Sequence, residues 1–192
     1  MKGAATMTRR DFLRLTGALP LVSWADAGPA WLTDPLRLPS VALTDTTGSV
    51  HRLSDLLQDR PTAISFFFTR CTTLCPMQTA LLRQVQVILN KGRHAGLLLS
   101  ISLDPDHDDP AAVRDFANRF HAPLGLEHRW LMLKAAPADL QRLRGALDAG
   151  TGSPREHANS LWIGSAKRGR WTRTSGLPTA REIVTWMEAS HA

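Results

Sequence analysis

The spacing of apolar positions changes several times along the chain, and each change marks an element. From Val41 to Leu53 the pattern breaks at Thr46-Thr47-Gly48-Ser49, which predicts two short strands joined as a hairpin. Ala63 to Phe68 is a continuous apolar run of strand length, and Leu97 to Leu103 is another. Such runs fit strands covered on both faces of a sheet. Between them, Leu81, Leu82, Val85, Ile88 and Leu89 recur at helical spacing within Met77 to Lys91. Pro110 opens a further helix with Val113, Phe116, Ala117 and Phe120 on its apolar side, because proline suits the first helical position. A short strand from Trp130 to Leu133, a helix from Pro137 to Leu147, a hairpin from Ser160 to Thr174 and a helix from Thr179 to Ala189 complete the pattern. Strands alternating with helices imply an α/β sandwich with a largely parallel centre.

The first 27 residues read as an address label. Lys2 and Thr8-Arg9-Arg10-Asp11-Phe12-Leu13-Arg14 precede a moderately apolar stretch from Leu15 to Trp24 and the small residues of Ala25-Asp26-Ala27. This is the layout of a twin-arginine export signal cleaved after Ala27. Gly17 and Pro20 interrupt the apolar stretch, which falls short of the ~20 residues that span a bilayer. The expected organisation is therefore a signal peptide over 1–27, a Pro-rich linker over 28–39 and one domain over 40–192, without a stable membrane span after cleavage.

Charge adds little. The formal net charge of +6 falls to +4 without the signal, which removes Lys2, Arg9, Arg10 and Arg14 together with Asp11 and Asp26. Lys167, Arg168, Arg170 and Arg173 cluster around Gly169, but few aromatics interleave with them and no nucleic-acid motif accompanies them. They read as a solvated turn, so no nucleic-acid partner is expected. The acidic run from Asp104 to Asp109, with Asp115 beyond it, has the spacing of a calcium loop but carries Asp109 where glycine makes the sharp turn. Asp108 or Asp109 is expected to cap the following helix.

Cysteine usage changes the picture. Cys71 and Cys75 are the only two cysteines and lie four positions apart. Closing so short a loop stabilises little, so the pair points to chemistry rather than to a structural staple. It falls where an apolar strand gives way to a helix, and a helix N-terminus favours thiolates. Thr72-Thr73-Leu74 makes the spacing Cys-x3-Cys, which can close a disulfide or splay two sulfurs around a metal. Two soft thiolates favour Cu(I), with nitrogen or sulfur as a third donor. Of the seven histidines, His51, His94, His121, His128 and His191 have no partner in sequence. His157 differs, because it ends a Gly/Ser/Pro loop just before the strand Leu161-Trp162-Ile163.

Three stretches together resemble the Sco/SenC family of copper-binding proteins used in cytochrome c oxidase assembly. They are Phe67-Phe68-Thr69-Arg70-Cys71-Thr72-Thr73-Leu74-Cys75-Pro76, then Ser102-Leu103-Asp104-Pro105-Asp106-His107-Asp108-Asp109-Pro110, then His157-Ala158-Asn159-Ser160-Leu161-Trp162-Ile163. The resemblance implies a thioredoxin-like sandwich with a mixed central sheet and an N-terminal β-hairpin. It implies one copper per chain, Cu(I) and also Cu(II), held by Cys71, Cys75 and His157, with Asp104 beside the cysteines as a supporting residue. The family usually has His-Cys-Pro where this chain has Arg70-Cys71-Thr72.

The expected function is that of a periplasmic metallochaperone presenting copper to an apo-cytochrome c oxidase subunit or another copper protein. Two other readings use the same thiols: a thiol-disulfide reductase in which Cys71 and Cys75 attack and resolve, and a copper or redox sensor. His157 separates them, since a metal site needs it and dithiol exchange does not.

Overall fold

The computed structural model describes residues 28–92, 94–150, 160–174 and 176–192. In chain order the elements are β1 (Ala42–Asp45), β2 (Val50–Arg52), α1 (Leu53–Leu57), β3 (Thr62–Phe67), α2 (Leu74–Lys91), β4 (Leu97–Ser102), α3 (Pro110–Asn118), β5 (Trp130–Ala135), α4 (Pro137–Ala146), β6 (Trp162–Ser165), β7 (Arg170–Arg173) and α5 (Ala180–His191). The strands form one seven-stranded sheet in the order β2-β1-β5-β4-β3-β6-β7. β3, β4 and β5 run parallel, while β1, β6 and β7 pair antiparallel with their neighbours. The expected thioredoxin-like sandwich is thus borne out, with its mixed sheet and its N-terminal hairpin of β1 and β2.

Alternation along the central strands divides the core into two layers, because successive strand residues face opposite sides. Ala63, Phe67, Leu98, Trp130 and Met132 pack with Val85 and Leu89 of α2, Phe116 of α3 and Ile183 and Met187 of α5. Ile64, Phe66, Leu97, Leu99, Leu131 and Leu133 pack on the other side with Leu53 and Leu57 of α1 and Leu140 and Leu143 of α4. Two buried serines interrupt the first layer, and their polarity is satisfied internally: Ser65 and Ser100 hydroxyls lie 2.8 Å apart, and Trp130 Nε1 donates to Ser100 Oγ at 3.0 Å.

Two boundaries differ from the sequence reading. Leu53 opens α1 instead of ending a strand, because Leu53, Leu56 and Leu57 form a buried helical stripe. Helix α2 starts at Leu74, ahead of Met77, so that Cys75 and Pro76 both lie in its first turn. Residues 30–32, within the stretch read as a linker, dock on the outer edge of β7. Leu32 N donates to Trp171 O at 2.8 Å, Thr172 Oγ1 donates to Ala30 O at 2.7 Å, and the Arg170 guanidinium lies 4.2 Å from the Trp31 ring centroid. This covers backbone groups that an open sheet edge would expose.

Parallel order fixes where chemistry can gather. The C-terminal ends of β3 and β4 lie side by side, and α2 and α3 begin beyond them. Because β6 pairs antiparallel with β3, Ile64 opposite Trp162, the chain enters β6 at this same end of the sheet.

The β6–β7 pairing leaves no room at Gly164. A methyl group there would lie 2.4 Å from Trp171 Cδ2 and 2.5 Å from the Arg170 carbonyl oxygen, and the backbone partner cannot swing away. Gly164→Ala is therefore expected to destabilise the domain by about 1–3 kcal/mol, the usual cost of overpacking. Chemical denaturation checks this, and an unchanged midpoint would contradict it.

Candidate functional site

At the end of β3 the chain leaves the sheet through Phe68, Thr69 and Arg70 and enters α2 at Leu74. Cys71 N donates to Phe68 O at 3.1 Å, closing a tight turn. Thr73, the N-cap residue of α2, makes no side-chain capping bond. Cys71 takes over that task, since its Sγ accepts the Cys75 N–H at 3.4 Å. A sulfur thus occupies the position that a Ser, Asp or Asn oxygen takes at most helix N-termini. Both thiols are free and buried, Cys71 with 8% and Cys75 with 1% of its surface exposed.

The two sulfurs have opposite electrostatics. Burial opposes ionisation of Cys71, but hydrogen bonds from the Cys75 side chain and backbone and from Thr73 outweigh it and hold the thiol below its ordinary pKa. Burial pushes the Cys75 thiol up to about 12, helped by its hydrogen bond to Cys71 and the nearby negative charges of Cys71 and Asp108, with the Phe68 backbone partly offsetting. The pair is a thiol that ionises more readily than usual beside one that resists ionisation.

Behind this turn stands a buried carboxylate. Asp108 accepts from Thr69 N at 3.0 Å and Thr69 Oγ1 at 2.6 Å through one oxygen, and from Ser102 Oγ at 2.5 Å through the other. It ties the end of β4 to the segment that leads into Cys71. Asp104 grips the same segment from its exposed side. Its carboxylate meets Arg70 NH2 at 2.8 Å and His107 Nδ1 at 2.7 Å. Burial opposes its ionisation, but the bonds from His107 and Arg70 win and keep its carboxyl below the usual range. Asp104 therefore reaches the cysteine loop through Arg70.

The structure brings together Cys71, Cys75 and Asp104. His157 lies outside the described residues, as do Arg9, Arg10 and the proposed cleavage point after Ala27. Asp109 caps α3, accepting from Ala112 N at 2.8 Å, which resolves the choice between Asp108 and Asp109. Three carboxylates of the acidic run are spent separately: Asp104 on Arg70 and His107, Asp108 on Thr69 and Ser102, and Asp109 on the α3 N-terminus. Among the described residues no group of three or more His, Cys, Asp or Glu is placed to hold a metal.

Sequence reasoning missed the anchoring by Asp108, treating it only as a cap. The available signal was its place just beyond β4, since a parallel neighbour puts that loop against the end of β3. A cavity of about 530 Å³ lies between residues 36–40, α1 and the β6–β7 turn, at the opposite end of the sheet, and no thiol lines it.

The fold is a thioredoxin-like sandwich with two free cysteines at a strand-to-helix turn, residues whose chemistry suits disulfide exchange or a soft metal. The SCO1/SenC family model matches residues 39–126, the stretch that carries Cys71, Cys75 and Asp104, so the Sco/SenC resemblance is borne out there. A SCO2-like protein of Rickettsia conorii is 33% identical over 79 residues, which cover 41% of this chain and 38% of that protein. The chain thus spans about two-fifths of that relative's length. Among solved structures, BsSco, a member of the Sco family of cytochrome c oxidase assembly proteins with an identified disulfide switch, superposes with a TM-score of 0.68 at 21% identity, covering 83% of this chain and 97% of that one. Bradyrhizobium japonicum ScoI with copper bound gives a TM-score of 0.62 at 20% identity, covering 79% of this chain and 98% of that one. These two likenesses establish the fold.

The opposed thiols make a direct prediction. Iodoacetamide at neutral pH is expected to label Cys71 first and leave Cys75 unmodified, because the thiolate is the nucleophile. The Cys71 rate rises with pH through a midpoint below that of an ordinary thiol. Peptide mass spectrometry reads the order, and equal labelling of both cysteines in the folded chain would contradict it.

Proposed function

We propose that this chain is a periplasmic copper-carrying assembly protein. In this reading Cys71, Cys75 and His157 hold one copper ion as cargo for an apo-cytochrome c oxidase subunit or another copper protein. The observation that carries the reading is the free cysteine pair at the α2 N-terminus, facing the end of the sheet where β6 begins. Soft thiolates suit Cu(I), and an imidazole suits copper in either oxidation state. Ser160 and Leu161 flank β6, and Leu161 N is tied to Thr174 Oγ1 at 2.9 Å. Leu161 packs in the same core layer as Cys71 and Cys75. His157 lies three positions before Ser160, a span of at most about 10 Å in extended chain. The copper-bound relative and the family match support the same assignment, as does the role of BsSco's family in oxidase assembly.

Export through the Arg9-Arg10 signal, with cleavage after Ala27, would deliver the domain over residues 40–192 to the periplasm. Among the described residues no helix is long and apolar enough to cross a membrane.

The unequal acidities favour a second reading of the same site. A low-pKa Cys71 suits attack on a disulfide, and a buried, protonated Cys75 suits resolution of the mixed disulfide. Thiol-disulfide reduction of the recipient's cysteines would then prepare its copper site.

His157→Ala separates the two. Copper titration of the reduced chain is expected to give one ion per chain for the parent and an affinity lower by about 10-fold or more for the variant, as loss of a supporting group costs a metal site at least that much. Dithiol exchange is expected to be retained. Unchanged stoichiometry and affinity in His157→Ala would remove the three-ligand site and leave the reductase.

A further inference from the structure

In the sequence, the basic cluster of Lys167, Arg168, Arg170 and Arg173 has little aromatic company. Folding supplies it. Leu32 N donates to Trp171 O at 2.8 Å and Thr172 Oγ1 to Ala30 O at 2.7 Å. These bonds lay the arm along β7 and set the half-buried Trp31 ring 4.2 Å from the Arg170 guanidinium. Leu32, the next residue, is 39% exposed. Scattered apolar residues on a surface need no explanation. Here an indole, a leucine and arginines are fixed together on one edge of the sheet.

The charges on this edge are unequally compensated. Lys167 pairs with Asp59 at 3.2 Å, and Arg173 pairs with Asp148. Arg168 Nε donates instead to His191 O at 3.2 Å, and Arg170 NH1 to Ala189 O at 3.1 Å. Those carbonyls close the end of α5 and are neutral, so both exposed arginines keep their positive charge. Arg37 is exposed between Leu36 and Leu38, which line the cavity beside Lys167. Asp34, also exposed, offsets part of this excess. Tryptophan settles at the headgroup level of a bilayer, and an anionic lipid surface attracts each nearby Lys or Arg. A single indole offers no row of rings on which successive bases could stack, so the combination fits lipid better than nucleic acid.

We propose that the β7 edge and the β6–β7 turn form a reversible docking surface for an anionic lipid bilayer. Trp31 and Leu32 enter the headgroup boundary, and Arg37, Arg168 and Arg170 meet lipid phosphates. The turn lies at the far end of β6 from the thiols, so a docked domain leaves Cys71 and Cys75 uncovered. With so small an apolar insertion the hold is weak and is screened by salt.

The test uses the reduced full-length chain with vesicles of phosphatidylcholine, alone or mixed with phosphatidylglycerol, carrying brominated acyl chains as tryptophan quenchers. At low salt the parent is expected to sediment with the phosphatidylglycerol vesicles, and the emission that Trp31→Phe removes is expected to be quenched there and not on phosphatidylcholine alone. Arg168→Gln/Arg170→Gln is expected to bind about twentyfold more weakly, at about fivefold for each basic residue near an anionic surface. Arg37→Gln leaves the end of α5 untouched and is expected to bind about fivefold more weakly, which separates charge from any loosening of that helix. Residues 1–27 carry Lys2, Arg9, Arg10 and Arg14 and could also draw the chain to vesicles, so the Trp31 signal decides. Vesicle binding with Trp31 unquenched and with all the arginine variants equal to the parent would assign the binding to residues 1–27 and overturn the proposal. Equal quenching on phosphatidylcholine alone would overturn the role of the arginines. Retention on a DNA duplex, with Trp31 unquenched by vesicles, would assign the patch to nucleic acid and overturn the lipid surface.

Discussion

The site depends on one buried carboxylate. Asp108, almost wholly enclosed, collects three donors from Thr69 and Ser102, and a buried carboxylate is tolerated only when its hydrogen-bonding capacity is met in this way. The consequence is mechanical. The end of β4 is fastened to the residues that carry the chain from β3 into Cys71, so the cysteine turn is held from behind by a rigid strand pair. Removing the acceptor would strand three donors, at a cost of about 1–3 kcal/mol for each one left buried.

From that anchor the asymmetry of the thiols follows. A fixed turn keeps Cys71 Sγ on the Cys75 N–H, which replaces the missing Thr73 cap and favours negative charge on one sulfur. The same turn drives Cys75 into the core beside Asp108, where charge is disfavoured. Arg70, standing where the Sco/SenC family usually has histidine, closes the exposed side by pairing with Asp104 at 2.8 Å. The proposed metal carriage and disulfide exchange would both draw on this arrangement, since each needs a thiolate that forms readily and a second sulfur close behind it.

The strands and helices were legible because burial imposes periodicity. Continuous apolar runs in β3 and β4 and the helical stripe of α2 could be read directly. Helix α1 could not, because five residues give too short a stripe to outweigh the strand pattern before it. Cys71 and Cys75 were legible from their spacing and from the helix that follows. The grip of Asp108 was not, because it joins residues 39 positions apart and exists only once β3 and β4 lie side by side. The docking of residues 30–32 on β7 escaped for the same reason: Thr172 and Ala30 are 142 positions apart, and nothing local in a Pro-rich stretch reports such a partner.

The most direct measurement is the ratio of Cys71 to Cys75 alkylation rates in Asp108→Ala, with Asp108→Asn as a gentler companion and circular dichroism to establish that each variant is folded. If the carboxylate holds the turn, the folded variants lose the selectivity and Cys75 becomes reactive as the turn loosens. A folded Asp108→Ala chain that labels Cys71 as selectively as the parent would contradict the account.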